Sequence, residues 1–254
     1  MPFPFAHPAA VLPLRRYCPR HLDFGSLVIG SLAPDFAASI DDWEYFSHTA
    51  VGIFGFCLPF GIVTVILFHR LRRTIVAIMP RPHRDALLPL CNRLAPSAFQ
   101  VVISILIGSG IHLVWDLFTH DYSRLARSIN SMFALEVVPV NQIIWLVSSI
   151  GGLVVLGRTY WRLLRSTKIA SPIGSWMDVH GHLRWLCFSL VPLAVALPVG
   201  INDAGLSHFT QLLRATSMYY LGSGYITLLI AGIYLQHTNS RPANASGRSP
   251  QGRV

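Results

Sequence analysis

AFQVVISILIGSGIHLVWDLFTH, residues 98–120, is the stretch that decides the fold, because an apolar run leads directly into three evenly spaced polar side chains. Residues 98–110 carry no formal charge, and about twenty predominantly apolar residues are enough for a helix to cross the hydrocarbon core of a bilayer. The stretch therefore predicts a membrane-spanning helix that ends in a cluster of titratable groups.

The spacing of these titratable groups suits a metal ion. His112, Asp116 and His120 stand four residues apart, so the first two converge on one point of a helix face and the third reaches that point or its neighbour. Imidazole nitrogen and carboxylate oxygen are ligands of zinc and related ions. Beside an apolar segment such groups must be paired, ligated or hydrated. The alternative is a helix end at the membrane surface whose polar residues meet water.

Composition places the chain among membrane proteins. Of its 254 residues 52% are hydrophobic and 12% charged, and the mean hydropathy is +0.50. The net charge of +9 would suggest nucleic acid in a soluble protein, but here the arginines gather in short loops between apolar segments, as the positive-inside rule requires. We therefore predict contact with membrane lipid and no binding of nucleic acid. The four cysteines are far apart and form no C-x-x-C pair, which favours neither a thiolate metal site nor a disulfide framework.

The apolar segments predict an all-α, polytopic membrane helix bundle with about five transmembrane helices and a short-helix hairpin at the N-terminus. Residues 1–236 form one membrane-embedded domain, and residues 237–254 are predicted to be a disordered tail, since they contain too little apolar surface to fold. The predicted spans are 49–68, 98–118, 142–164, 185–201 and 218–236. Basic residues follow the first and third spans, which predicts a cytoplasmic face there. His48 and His120 then lie together on the outer side.

The N-terminal hairpin consists of two apolar pieces, 8–16 and 24–33, each too short to span a bilayer. We expect them to lie in or against the bilayer face. An alternative lets residues 22–40 cross the membrane, which would separate His7 from the other candidate ligands by the full bilayer.

Two prolines set the ends of the hairpin arms. Pro8 suits the first turn of a helix, with His7 just outside it, and Pro34 is expected to end the second arm and leave Asp35 at its mouth. An antiparallel hairpin would then bring His7 and Asp35 together. The alternative is that His7 is an exposed terminal residue and Asp35 an ordinary acid after a helix.

Four motifs carry a family resemblance: MPFPFAHPAA at 1–10, GSLAPDF at 30–36, FSHT at 46–49 and HLVWDLFTH at 112–120. Together they resemble the bacterial membrane family of unknown function called DUF4184. Its relatives look like inner-membrane proteins described as metal-dependent hydrolases. The resemblance implies a multi-pass protein of the bacterial cytoplasmic membrane, and the positions of the basic loops predict that the site lies on its extracytoplasmic side.

A more distant likeness carries chemistry. The order His, Asp, His, then His-x3-Asp and a further His is similar to the zinc-dependent phospholipases C and the related single-strand nucleases, which bind three zinc ions. The likeness implies a divalent metal, zinc first, with manganese or iron as alternatives. The residues it implies as metal ligands are Asp35, His48, His112 and Asp116 for one ion, His7 with a bridging Asp35 for a second, and His120 for a third.

The likeness is incomplete at the last metal position. Those enzymes have a later His-x3-Glu pair, and this chain has none. The later candidates are Asp178, His180, His182, Asp203 and His208, and none has that spacing. We therefore expect one or two metal ions instead of three.

The function expected from these residues is that of a membrane-bound metal-dependent hydrolase acting on a phosphate ester of a lipid or envelope precursor. Asp35 is the candidate to position or deprotonate the attacking water. Two alternatives remain open: an ion or proton transporter that uses the intramembrane Asp and His residues, and a metal-stabilised scaffold without catalysis. Neither a G-x-S-x-G elbow nor a Walker-type loop is present, so serine and phosphate-loop chemistries have no support.

Overall fold

The computed structural model describes residues 3–37, 43–92, 94–120, 123–133, 139–166, 179–204 and 209–239. In these ranges the chain is helical, with short turns and no strand, so the predicted all-α class is confirmed. The α-helices, in chain order, are α1 Pro8–Val11, α2 Phe24–Ala37, α3 Trp43–Ser47, α4 Ala50–Gly52, α5 Leu58–Ala77, α6 Arg81–Cys91, α7 Ala98–Thr119, α8 Arg124–Phe133, α9 Val140–Ser166, α10 Val179–Ala204 and α11 Phe209–Asn239.

Four stretches in the described part are long and apolar enough to cross a membrane: Ala50–Ala77, Ala98–Met132, Val140–Ser166 and Gln211–His237. At most 33% of the apolar window in each stretch is buried inside the protein. Helices that expose apolar side chains over most of their surface require a lipid environment, because water would not solvate them. The chain is a helical membrane protein.

Four of the about five predicted spans are long and apolar enough, in the described part, to cross a membrane. The predicted span at 185–201 lies within α10, whose described apolar stretch, Ser189–Asn202, is shorter than the length required of a span. The spans at 98–118 and 142–164 agree with α7 and α9 within two residues at each end. The first span continues to Ala77, well beyond residue 68, and α11 continues to Asn239, three residues into the predicted tail. Residues 240–254 lie outside the described part.

The N-terminal hairpin runs alongside α7. Its first arm consists of Pro4–Ala6, α1 and the 3-10 turn Leu12–Tyr17, and its second arm is α2. The Asp23 N–H donates to Ser104 Oγ at 2.9 Å, and the Pro19 carbonyl accepts from Gln100 Nε2 at 2.6 Å. The turn of the hairpin therefore lies at the beginning of α7, and both arms return towards its end.

The alternative in which a crossing second arm separates His7 from the other candidate ligands is wrong. The first arm runs back along the same helix and brings His7 next to Asp35, as the antiparallel hairpin predicted. The placement also moves the hairpin arginines, Arg15, Arg16 and Arg20, to the end of α7 at which α5 finishes and α6 begins. Basic residues of the hairpin and of the loop after α5 thus share one end of the bundle.

Close helix packing joins α2 to α7. A Cβ atom on Gly108 would overlap the Leu27 carbonyl oxygen, and one on Gly30 would overlap the carbonyl oxygen of Ile105. Small residues allow two helix backbones to approach in this way, which is how many helices pair within membranes. The close contact fixes the register of α2 on α7 and therefore the height of Asp35.

Pro34 lies inside α2 and does not end it, contrary to our expectation. A proline cannot donate to the carbonyl four residues earlier, which here belongs to Gly30. Ser109 on α7 supplies the missing donor, because its Oγ donates to the Gly30 carbonyl at 3.0 Å. The helix therefore continues to Ala37, and Asp35 stands on its α7-facing side instead of at a helix mouth.

Candidate metal centre

The structure brings all six predicted ligands together at one end of the bundle. His112 and Asp116 lie on the last turns of α7, His120 is its C-terminal cap, Asp35 lies on α2, His7 precedes α1 and His48 lies between α3 and α4. No more than 7% of any of these side chains is exposed. Segments that are distant in the sequence therefore place buried candidate ligands close together.

Four ligand atoms face one another at the centre of this cluster: Asp35 Oδ1, His48 Nε2, His112 Nε2 and Asp116 Oδ2. The His48 nitrogen lies 3.4 Å from His112, 3.4 Å from Asp116 and 3.9 Å from Asp35. The His112 nitrogen lies 3.2 Å from Asp116 and 3.6 Å from Asp35. With metal–ligand bonds of 2.0–2.2 Å, a tetrahedral zinc site has ligand atoms about 3.3–3.6 Å apart. The separations among His48, His112 and Asp116, 3.2–3.4 Å, lie close to that range, and these three residues form one set that could hold an ion. Asp35 lies beside this set, and together with His7 and His112 it forms a second set of three.

Backbone carbonyls orient both histidines of the central group. His112 Nδ1 lies 2.7 Å from the Ser31 carbonyl oxygen, and His48 Nδ1 lies 2.7 Å from that of Glu44. A carbonyl only accepts, so each Nδ1 carries the proton, and in a neutral ring Nε2 is then an acceptor. This arrangement is typical of metal-bound histidines, whose outer nitrogen donates to a carbonyl or carboxylate. The four facing atoms are then all acceptors, and a cation or an added proton must balance them.

The residues on either side of His48 fix its position. Ser47 Oγ donates to the Pro34 carbonyl at 3.1 Å, which ties the linker to α2. Thr49 Oγ1 accepts from the Gly52 N–H at 2.9 Å and caps α4. His48 is therefore held between Ser47, which is hydrogen-bonded to α2, and Thr49, which caps α4.

Each aspartate has a second oxygen that faces a further histidine. Asp35 Oδ2 lies 3.7 Å from His7 Nε2, and Asp116 Oδ1 lies 3.6 Å from His120 Nδ1. The His7 ring also stacks on His112, with ring centroids 3.9 Å apart. The centre thus has a four-atom core, here called the central group, and two flanking pairs, His7 with Asp35 and His120 with Asp116.

Burial keeps His7 and His48 uncharged. Burial is the main reason why the pKa of His48 is lowered to about 4. Burial is also the main reason why the pKa of His7 lies well below its ordinary value. Neutral imidazole is the form that coordinates metal ions, so both rings are in the ligand form at neutral pH.

A family model described as a domain of unknown function, DUF4184, matches residues 1–234. The chain belongs to the DUF4184 family. No curated protein and no solved structure matches it. The matched residues include the N-terminal hairpin and all six clustered side chains, so the whole centre lies within the DUF4184 region.

The later ligand candidates of this DUF4184 chain, Asp178, His180, His182, Asp203 and His208, lie outside the residues or side chains that the structure describes. Sequence reasoning missed the carbonyl groups of Ser31 and Glu44, because every residue carries a carbonyl and no side chain marks the one that is used. It also missed the packing role of two Gly-Ser pairs, at 30–31 and 108–109, although small residues in apolar helices signal close approach.

Proposed function

We propose that the cluster binds a divalent metal, zinc in the first place, and that the chain is a membrane-embedded metal-dependent hydrolase acting on a phosphate ester of a lipid or envelope precursor. The observation that carries the proposal is the central group, in which the ligand atoms of His48, His112 and Asp116 stand at separations close to tetrahedral ones, with the buried Asp35 beside them. Two carboxylates buried without a compensating cation would cost several kcal/mol each. Manganese or iron would fit the same nitrogen and oxygen ligands.

The flanking pairs are where chemistry would occur. An ion in the central group would have His48, His112 and Asp116 as protein ligands, with Asp35 beside them. A second ion would lie near a flanking pair, where His112 is a possible third ligand beside His7 and Asp35, and water and a phosphate oxygen would take the remaining positions. A metal at such a position would supply a hydroxide by lowering the pKa of bound water to about 7, and it would polarise the phosphoryl group.

Access favours the flanking pair of His120 and Asp116. The His48 and His120 side chains are each 7% exposed, whereas His7 is 1% exposed and Asp35 is fully buried. Substrate would therefore approach from the side of His48 and His120. Asp35, placed between His7 and the central group, suits a bridging ligand, and its expected role in activating water stays a prediction.

The position of the site suggests the substrate class. The cluster lies where α7 ends and α4 begins, which is the level at which helices leave the hydrocarbon and meet lipid headgroups. The positive-inside rule assigns the opposite, arginine-rich end to the cytoplasm. The site would then face the outer side of the cytoplasmic membrane, where phosphate esters of lipids and envelope precursors are available.

A non-catalytic metal-stabilised scaffold is the second candidate. It is favoured by the near-total burial of the cluster, which is typical of structural metal sites. Activity must distinguish it from the hydrolase, because both bind metal.

The first experiment is elemental analysis of the purified chain beside Asp116→Asn. Asp85→Asn is the matched control, since Asp85 is an exposed acid on α6, paired with Arg84 and far from the cluster. We expect bound metal in the parent and the control and its loss in Asp116→Asn. A parent without metal, even after reconstitution with zinc, manganese and iron, would contradict the proposal.

The second experiment is phosphate release from lipid phosphate esters by the metal-loaded chain. Release that depends on added metal and is lost in Asp116→Asn is the expected result. Metal without release on any phospholipid or envelope precursor favours the scaffold. Metal-independent ion flux in proteoliposomes would instead support the transporter that the sequence left open.

A further inference from the structure

Helix α8, Arg124–Phe133, is strongly amphipathic. In its sequence, RLARSINSMF, the apolar residues Leu125, Ile129 and Met132 recur at i, i+4 and i+7 and share one side of the helix. The opposite side carries the residues Arg124, Arg127, Ser128 and Ser131. No acidic residue occurs in the helix, so the charged residues on its polar side are all arginines.

Hydrogen bonds place α8 across the end of the bundle. At its start, the Ser123 N–H donates to the His120 carbonyl at 3.0 Å. Seven residues later, Asn130 exchanges two hydrogen bonds with Asn141, whose Nδ2 donates to the carbonyl of Thr119. Were α8 a continuation of α7, Asn130 would lie more than about 10 Å beyond Thr119. Both positions instead lie beside the last residues of α7.

Three sides of α8 have different surroundings. Ala126 is buried against the bundle. Met132 is 76% exposed and Leu125 is 40% exposed, although both are apolar. Arg124, Arg127, Ser128 and Ser131 are also exposed. The exposed apolar side therefore lies between a side that packs on protein and a side that is cationic.

The occupant that fits the exposed apolar side is the bilayer itself. Helix α8 connects α7 to α9, and both of these helices belong to membrane-crossing stretches. The hydrogen bonds of α8 hold it at the level where α7 ends and α9 begins. A cationic amphipathic helix at that level buries its apolar side at the boundary of the acyl chains and turns its arginines to the headgroups. Its N-terminus lies four residues after His120.

We propose that α8 is an interfacial helix that inserts Leu125 and Met132 into the outer edge of the bilayer and binds anionic phospholipid headgroups through Arg124 and Arg127, beside the metal centre. Lipid binding by α8 does not depend on hydrolase activity. It assigns a lipid-binding surface to the side of the cluster on which His120 lies.

The test of insertion uses nitroxide spin labels on single cysteines in the otherwise cysteine-free chain, reconstituted in nanodiscs. Met132→Cys and Ser131→Cys are neighbours in sequence and lie on different sides of α8, which makes them a matched pair. We expect the label at 132 to collide several-fold more with oxygen than with a water-soluble nickel complex, and the label at 131 to show the reverse. Equal exposure of both labels to the nickel complex would overturn the proposal. So would exclusion of both reagents at 132, which would indicate a second copy or another protein on this side.

The test of headgroup binding compares nanodiscs of phosphatidylcholine with nanodiscs that also contain phosphatidylglycerol. With both arginines present, the anionic lipid should draw the label at 132 deeper, seen as a higher oxygen-to-nickel ratio. The double variant Arg124→Gln with Arg127→Gln should lose this response, and Arg124→Lys with Arg127→Lys should keep it, because the charge remains. A response that persists in the glutamine variant would overturn the assignment of the arginines.

Discussion

At the scale of single residues, His112 connects more of the centre than any other side chain described. Its Nδ1 donates to the Ser31 carbonyl on α2, its ring stacks on His7, and its Nε2 lies within 3.6 Å of Asp35 and Asp116. The central group therefore depends on this ring for its geometry. The flanking histidines His7 and His120 each lie 3.6–3.7 Å from one aspartate oxygen.

Because His112 has more contacts within the centre than His7 or His120, we expect its substitution to remove more of the bound metal. His112→Ala should lose the bound metal, because it removes one of four central ligands. His7→Ala and His120→Ala should retain the central ion and weaken it by no more than about 10–100-fold, as outer-shell changes do. Metal titration of the three variants, with His21→Ala as an exposed control, measures the difference. Equal and complete loss in these three variants, with metal retained in His21→Ala, would contradict the division into central group and flanking pairs.

Part of the site was predictable at this scale. The four-residue spacing of His112, Asp116 and His120 places them on one helix face by geometry alone, and Pro8 located His7 at the end of a helix. The pairing of individual atoms was not predictable. Which nitrogen of His48 faces Asp116 depends on the Glu44 carbonyl, and such a choice leaves no trace in the identity of a residue.

At the scale of elements, the contact between α2 and α7 sets the height of Asp35 against His112. Hydropathy predicted α7, since a long uncharged run is recognisable without any partner. It did not predict that α2 continues past Pro34, because the carbonyl released by the proline is satisfied by Ser109 from another helix. A partner 79 residues away in sequence is invisible to local rules.

The contact predicts that Gly108→Ala disrupts the centre although it changes no ligand. The added methyl would overlap the Leu27 carbonyl and push α2 away, which would separate Asp35 from the central group. Gly110→Ala is the matched control, since nothing lies within 4 Å of its Cβ position, and it should keep its metal and gain up to about 1 kcal/mol of helix stability. Metal content and thermal unfolding in detergent check both variants. A Gly108→Ala chain with full metal content would refute the role assigned to this contact.

At the scale of the whole molecule, the hairpin explains how its arginines and its candidate metal ligands lie at opposite ends of the bundle. Its turn carries Arg15, Arg16 and Arg20 to the arginine-rich end, while its open end delivers His7 and Asp35 to the other. We expected the two short helices to lie in or against the bilayer face. The structure packs them along α7, and no hydropathy profile contains this packing.

The resulting topology predicts which ends of the molecule can be labelled from outside the cell. Tyr45, on α3 near His48, is 85% exposed, and Leu94, just before α7, is 95% exposed at the opposite end. In a cysteine-free background, a membrane-impermeant thiol reagent should modify Tyr45→Cys in sealed cells and Leu94→Cys only after permeabilisation. The opposite pattern would place the centre in the cytoplasm.

Metal removal should loosen the N-terminal hairpin before the rest of the bundle. The central group joins α2, the linker at His48 and α7, so a bound ion holds the hairpin against two other segments. A ligand at a thousand times its dissociation constant stabilises a fold by about 4 kcal/mol, and a strong chelator should lower the unfolding temperature accordingly. Hydrogen exchange should then rise in the last turns of α2 while the middle of α9, which contributes no ligand, keeps its protection. In Asp116→Asn the chelator should change neither quantity, since no ion is bound. If the parent responded no more than this variant, a proton shared between His112 and the aspartates, and not a metal, would hold the centre together.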